Sequence, residues 1–182
     1  MLRLFVALEL PADIRQRLMA LTGGVRGARW SSEEMLHLTL RFIGEVGEDE
    51  AADLDASLAE IVSPPIALSL EGVGSFGSAK GLRVLWAGVQ RDNALLQLQA
   101  RVEAALVRAG LEPEERKFSP HITLARLQNV PAERLAPYLS QNGLFRAGPV
   151  AIDHFTLFQS HRGKSGPVYE PLADYPLRGR PD

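Results

Sequence analysis

The 182-residue chain contains no cysteine. Disulfides, thiol nucleophiles and Cys-ligated zinc are therefore excluded. Lysine occurs only at positions 80, 117 and 164, so arginine supplies most of the positive charge. Its planar guanidinium suits bidentate recognition of phosphate. The net charge of −2 leaves no strong field to hold long nucleic acid, although a small or terminal nucleic-acid substrate remains open. No apolar run approaches the ~20 residues that a membrane span needs. Leu2–Leu10 alternates in polarity, runs straight into Pro11 and Asp13 and has no small-residue cleavage site. It reads as a strand rather than a signal peptide, and the cytoplasm is the expected location. A hydrophobic share of 46% and a charged share of 23% fit one soluble domain, or two small lobes sharing a core.

Histidine and threonine are also rare, with four of each. Random placement would give about 0.1 His-x-Thr triplets, so any clustering carries weight. The chain has three, in His37-Leu38-Thr39-Leu40, His121-Ile122-Thr123-Leu124 and His154-Phe155-Thr156-Leu157. Strand side chains alternate with period two. His37 and Thr39 would thus share one face while Leu38 and Leu40 enter a core, and the second motif repeats the arrangement. Two such strands half a chain apart suggest two imidazoles facing each other across a cleft. That is the acid-and-base arrangement a phosphodiester hydrolase needs. The third copy is expected to be non-catalytic. Its segment corresponds to Ile66–Val73 in the first half, where Leu70 has no acid–base chemistry, so Phe155 and Leu157 belong to the core and His154 to a bonded or exposed strand face.

Strands are expected at 2–10, 36–43, 66–73, 82–89, 120–127, 150–158 and 168–172. Helices are expected at 11–21, 48–62, from an Asp92 cap to Gly110, and at 131–139. The unit strand–helix–strand–loop–strand occurs twice, which suggests an internal duplication with antiparallel pairing within each half. Gly72-Val73-Gly74-Ser75-Phe76-Gly77 matches a dinucleotide-binding fingerprint, but a strand follows where a phosphate-binding helix is required. Those glycines are read as a tight loop. Gly163-Lys164-Ser165 lacks the upstream glycine of a P-loop, and neither H-E-x-x-H nor H-x-H metal spacing occurs.

The segments Leu36-His37-Leu38-Thr39-Leu40-Arg41-Phe42-Ile43-Gly44-Glu45 and Phe118-Ser119-Pro120-His121-Ile122-Thr123-Leu124-Ala125-Arg126 resemble the two-histidine phosphoesterase superfamily. Within it, the chain is most similar to RNA 2′,3′-cyclic phosphodiesterases, formerly called 2′–5′ RNA ligases. Arg3–Leu8, the segment ending in Trp30, Gly74–Gly77 and Tyr169–Leu172 fit the same family. The resemblance implies an α+β fold of two pseudo-symmetric lobes over residues 1–182, with one motif per half. Each lobe has an antiparallel sheet with helices outside, and the cleft between them holds both motifs. It implies cofactor-free, metal-independent hydrolysis of a ribose 2′,3′-cyclic phosphate at an RNA end to a 2′-phosphate, with weak reversible 2′–5′ ligation possible. RNA 3′ ends or small 2′,3′-cyclic nucleotides are the expected partners of a monomer. Other readings are a phosphodiesterase for a cyclic nucleotide or ADP-ribose 1″,2″-cyclic phosphate, and an RNA-end binding module.

The resemblance suggests His37 as acid and His121 as base, although the reverse ligation would exchange them. Thr39 and Thr123 would donate to the non-bridging oxygens. Arg41, two past Thr39, is expected at the cleft rim. Arg126 is a ligand candidate that strict alternation puts on the wrong face, unless a bulge turns it inward. Trp30, Phe118, Tyr169 and Phe42 are candidates for stacking on a base or ribose, with core packing the main expectation for Phe42. His161 and Lys164 are expected in a loop fringing the cleft.

Overall fold

A computed structural model describes residues 1–179. Alternating patterns give nine strands: β1 (Leu2–Glu9), β2 (Ala28–Trp30), β3 (His37–Val46), β4 (Ile66–Ser78), β5 (Gly81–Val89), β6 (His121–Val130), β7 (Arg146–Ile152), β8 (His154–Gly163) and β9 (Gly166–Pro176). Four helices intervene: α1 (Ala12–Met19), α2 (Glu48–Ala59), α3 (Asn93–Arg108) and α4 (Ala132–Asn142). The Asp92 carboxylate accepts from the Leu95 amide at 2.8 Å and starts α3, as its sequence position predicts. Leu95, Leu98, Val102 and Leu106 then line the helix face that enters the core.

The strands form two antiparallel sheets, ordered β3-β1-β8-β9 and β2-β6-β5-β4-β7. This is the expected α+β class with two sheets. The motif strands β3 and β6 pack against each other where the sheets meet. Their apolar partners Leu38, Leu40, Ile122 and Leu124 belong to one continuous core shared by both sheets and the helices.

Both expected strand-loop-strand pairs form antiparallel hairpins, β4 with β5 and β8 with β9. Each hairpin joins the sheet of the other motif strand, through β5–β6 and β8–β1. In chain order the runs are β1–α1–β3–α2–β4 and β5–α3–β6–α4–β8, leaving aside β2, β7 and β9. The last strand of each run crosses over. β4 pairs with β5 of the second run, and β8 pairs with β1 of the first. The expected single strand at 150–158 is two strands in different sheets. Ile152 ends β7 beside β4, and after Asp153 the chain enters β8 beside β1. Two expected loops are also strand. Gly72–Gly77 lie within β4, and His161 lies within β8, so only Ala79-Lys80 and Lys164-Ser165 turn the two hairpins. Gly74 has a packing reason to be glycine: a Cβ there would lie 2.3 Å from the Trp86 ring.

Candidate active site

Residues paired across strands share a face of the sheet. Thr39 pairs with Ala7, Phe5 with Phe158, and Ser160 with Tyr169, so these positions and His37 form one surface on the first sheet. Thr123 pairs with Trp86, and Phe76 neighbours both Trp86 and His121 on the second. The strands that carry His37 and His121, β3 and β6, pack against each other where the two sheets meet, so the two motif faces border one cleft.

Each imidazole is anchored in the same way. His37 Nδ1 lies 2.7 Å from the Met35 carbonyl, and His121 Nδ1 lies 2.7 Å from the Ser119 carbonyl. A carbonyl only accepts, so Nδ1 carries a proton in each ring and Nε2 is the nitrogen left over. The Thr39 hydroxyl lies 2.8 Å from His37 Nε2 and donates to it. Phe5 stacks on the His37 ring at 5.0 Å between centroids, and Tyr169 meets it edge-on at 5.3 Å. Phe76 meets the His121 ring edge-on at 4.8 Å.

These aromatic walls set the electrostatics. Burial pushes the His37 pKa down to about 4, against a smaller upward pull from the Met35 carbonyl and a further downward push from the charge of His121. His37 keeps some surface open to the cleft, yet its ring faces are covered by carbon, and this local desolvation governs. The free protein therefore holds His37 neutral at pH 7. Burial also raises the Tyr169 pKa, opposed by the nearby charges of Arg126 and Arg3.

A β-bulge falls at the same place in both motifs. In β3, Thr39 pairs with Ala7 but Arg41 pairs with Val6, which leaves Leu40 as the extra residue. In β6, Thr123 pairs with Trp86 but Ala125 pairs with Leu85, which leaves Leu124 extra. Each bulge reverses the alternation beyond it. Arg126 consequently faces the cleft, the case its inward turn required, and is exposed beside Arg29, its partner on β2.

The bulge at Leu40 overturns two expectations. Arg41 does not reach the cleft rim. It is 8% exposed, with Nε 2.6 Å from a Glu103 carboxylate oxygen on α3 and Nη1 2.7 Å from the Phe42 carbonyl. Phe42 is not in the core. It pairs with Phe5 on the cleft face and is 47% exposed, with the Arg3 guanidinium 5.2 Å from its ring centroid.

Two stacking candidates also lie elsewhere. Trp30 pairs with the buried Ala125, on the core face, and packs against Tyr138 of α4. Phe118 packs against the main core from the segment before β6. Tyr169 does line the cleft. The alternating pattern could have revealed Phe5 and Phe158, which stack at 5.1 Å. Trp86, Phe76 and Arg29 carry no comparable signal in the sequence.

His154 lies outside the two-imidazole pair. Its Nδ1 is 2.7 Å from Asp153, and its neighbours Phe155 and Leu157 are buried as expected. His154, Glu9 and Asp174 cluster closely enough to hold a cation, a grouping that linear spacing does not reveal. The fully buried Thr156 hydroxyl lies 2.7 Å from Asp174 and 3.2 Å from Glu9 and accounts for their approach. His161 faces Glu170 at 2.6 Å.

The profile of the 2′-5′ RNA ligase superfamily matches residues 5–164. The chain belongs to this superfamily. It is 32% identical over 174 residues to an RNA 2′,3′-cyclic phosphodiesterase of Archaeoglobus fulgidus, covering 94% of this chain and 98% of that one. It is 30% identical over 179 residues to the Escherichia coli protein of the same name, covering 96% of each. Among solved structures, E. coli LigT complexed with 3′-AMP superposes with a TM-score of 0.80 at 30% identity, over 97% of this chain and 98% of that one. A Thermus thermophilus protein superposes with a TM-score of 0.77 at 29% identity, over 97% and 98%. The superfamily's shared fold is the two-sheet cleft described above.

Proposed function

We propose that His37 and His121 act as the acid–base pair for hydrolysis of a ribose 2′,3′-cyclic phosphate. The chain is an RNA 2′,3′-cyclic phosphodiesterase, and the product is an RNA end with a 2′-phosphate and a free 3′ hydroxyl. The carrying observation is the matched anchoring of the two rings, each held through Nδ1 by a carbonyl two residues upstream, which leaves Nε2 as the nitrogen that exchanges a proton.

One Nε2 takes a proton from water as its oxygen attacks phosphorus. The P–O3′ bond breaks, and the other Nε2–H delivers a proton to O3′. Each role is worth roughly 10²–10⁴ in rate. The family resemblance gives the acid role to His37. That role requires His37 to gain a proton beside the phosphate, and an anion in contact with the ring raises its pKa. Thr39 and Thr123 turn their hydroxyls to the non-bridging oxygens. Arg126, with Arg29 beside it, offsets the phosphate charge. No step in this scheme requires a metal.

We further read residues 1–182 as one bilobal domain that arose by duplication, acting as a cytoplasmic monomer. The crossed strands β4 and β8 and the matched bulges support the duplication. No helix among the described residues is long and apolar enough to cross a membrane. The deciding test is to incubate the protein and EDTA with an RNA ending in a 2′,3′-cyclic phosphate. A 2′-phosphorylated product is expected. An unchanged end, or a 3′-phosphate, would refute the reading.

A further inference from the structure

We infer that Arg29 binds a second phosphate, the one carried on the 5′ oxygen of the ribose whose cyclic phosphate reacts, so that the site recognises an RNA end by two successive phosphates. The inference rests on the proposed phosphodiesterase function and extends it from the reacting group to the chain that leads away from it.

Three observations carry it. The first is an unfavourable pairing that the fold keeps. Arg29 stands directly opposite Arg126 across β2 and β6, with Cα atoms about 5 Å apart, and like charges so placed repel. Both side chains are exposed, and neither has a carboxylate within salt-bridge distance among the described residues. Two uncompensated guanidiniums on a functional face are relieved by two linked anions, each met by one fork of donors.

The second is direction. On its other side Arg126 pairs with Val84 of β5, so along this row positive charge continues only towards β2. That strand is the outer edge of its sheet, and the row runs from the reacting phosphate at Arg126 to solvent at Arg29. An RNA chain has to leave the cleft over an open edge. The first charged group that it carries beyond the cyclic phosphate is the phosphate on the 5′ oxygen of the same ribose.

The third is rigidity. β2 is only three residues long, yet it is fastened on both sides of its centre. Trp30 packs into the core against Tyr138, the Ser31 amide donates to the Leu124 carbonyl at 2.9 Å, and the Ser31 hydroxyl donates to the Thr123 carbonyl at 3.2 Å. The backbone of Arg29 is therefore tied to the motif strand itself, which fixes its spacing from Arg126 before any substrate arrives. A phosphate contact of this kind sets position and is indifferent to base identity.

The test uses three substrates: adenosine 2′,3′-cyclic phosphate, the same compound with a 5′-phosphate, and the dinucleotide ApA ending in a 2′,3′-cyclic phosphate. The wild type should turn over the second and third with at least about tenfold higher kcat/KM than the first, mainly through a lower KM. Arg29→Ala should bring both ratios to within about twofold of unity and reduce the salt slope of the two 5′-phosphorylated substrates by about one. Arg29→Lys should keep part of the preference, because it retains the charge and loses the fork. Equal losses on all three substrates, ratios that Arg29→Ala leaves unchanged, or a wild type without the preference would each overturn the second phosphate site. A preference confined to the dinucleotide would assign the contact to the added nucleoside and overturn it as well. Turnover of none of the three by the wild type would refute the phosphodiesterase reading instead. In that event affinity decides the site: the wild type should bind adenosine 2′,5′-bisphosphate about tenfold more tightly than adenosine 2′-phosphate. An Arg29→Ala protein that keeps this margin overturns the proposal.

Discussion

Phe42 and Arg126 occupy equivalent positions, each two residues beyond a bulge at the last leucine of a His-x-Thr-Leu motif and each facing the cleft. The residues one step earlier, Arg41 and Ala125, are both turned into the protein interior. The matched bulges thus turn Arg126 towards the cleft and Arg41 into the fold.

Arg41 and Arg126 should therefore fail differently. Arg41→Ala leaves Glu103 without its buried partner and should lower stability by about 2–4 kcal/mol. Arg126→Ala should raise KM severalfold and leave the unfolding midpoint within a degree or two. Urea unfolding and steady-state kinetics on both variants check this. A stable Arg41→Ala protein with a raised KM would contradict the assignment.

His37→Ala and His121→Ala should each lower kcat by at least about 10² with the circular dichroism spectrum unchanged. A folded variant with near-full activity would eliminate the acid–base pair.

The low pKa of His37 has two consequences that pH titration can measure. The acid limb of kcat/KM should lie near pH 4, well below the ordinary histidine range, with both limbs belonging to the coupled pair of imidazoles. Phe5→Ala, which uncovers the ring, should move that limb upward. Stability responds as well. The unfolded chain binds this proton near pH 6.5 and the folded chain only near pH 4, so stability falls as pH drops through that window, by up to about 3 kcal/mol. His37→Gln should flatten this part of the pH–stability curve.

Chelation with EDTA should leave turnover intact, because in the proposed mechanism side chains supply the acid, the base and the phosphate contacts. Loss of activity that a single divalent ion restores would count against the mechanism.

His154→Gln should change kcat/KM less than tenfold, under about 1.4 kcal/mol of transition-state stabilisation. His154 is bonded to Asp153 and stands apart from the imidazole pair. A loss as large as that of His121→Ala would require it in the reaction.

Periodicity made much of this architecture readable. A spacing of two put His37 with Thr39 and His121 with Thr123, and it put Phe155 and Leu157 in the core. The Asp92 cap and the following apolar stripe located α3. What stayed hidden depends on tertiary pairing. Arg41-Phe42 gives no local sign of a bulge, whereas the adjacent apolar pair Leu124-Ala125 breaks alternation and offers a faint one. The adjacent polar pair Asp153-His154 breaks the alternation between Ile152 and Phe155, the one local sign of the point where the chain changes sheets. Gly74 and Gly77 carry no strand propensity, yet β4 runs through them, and Gly74 makes room for the Trp86 ring.

The crossing of β4 and β8 bears on how the protein is made. Leu4 pairs with Gln159, so β1 keeps an open hydrogen-bonding edge until the last part of the chain has been synthesised. Neither run can complete its sheet alone, and a protein cut between β4 and β5 would yield two incomplete pieces. Pairings this distant in sequence make folding slow and late. The nascent chain therefore carries both imidazoles well before the complete cleft exists, and catalytic competence should appear only upon closure of the first sheet by its C-terminal hairpin.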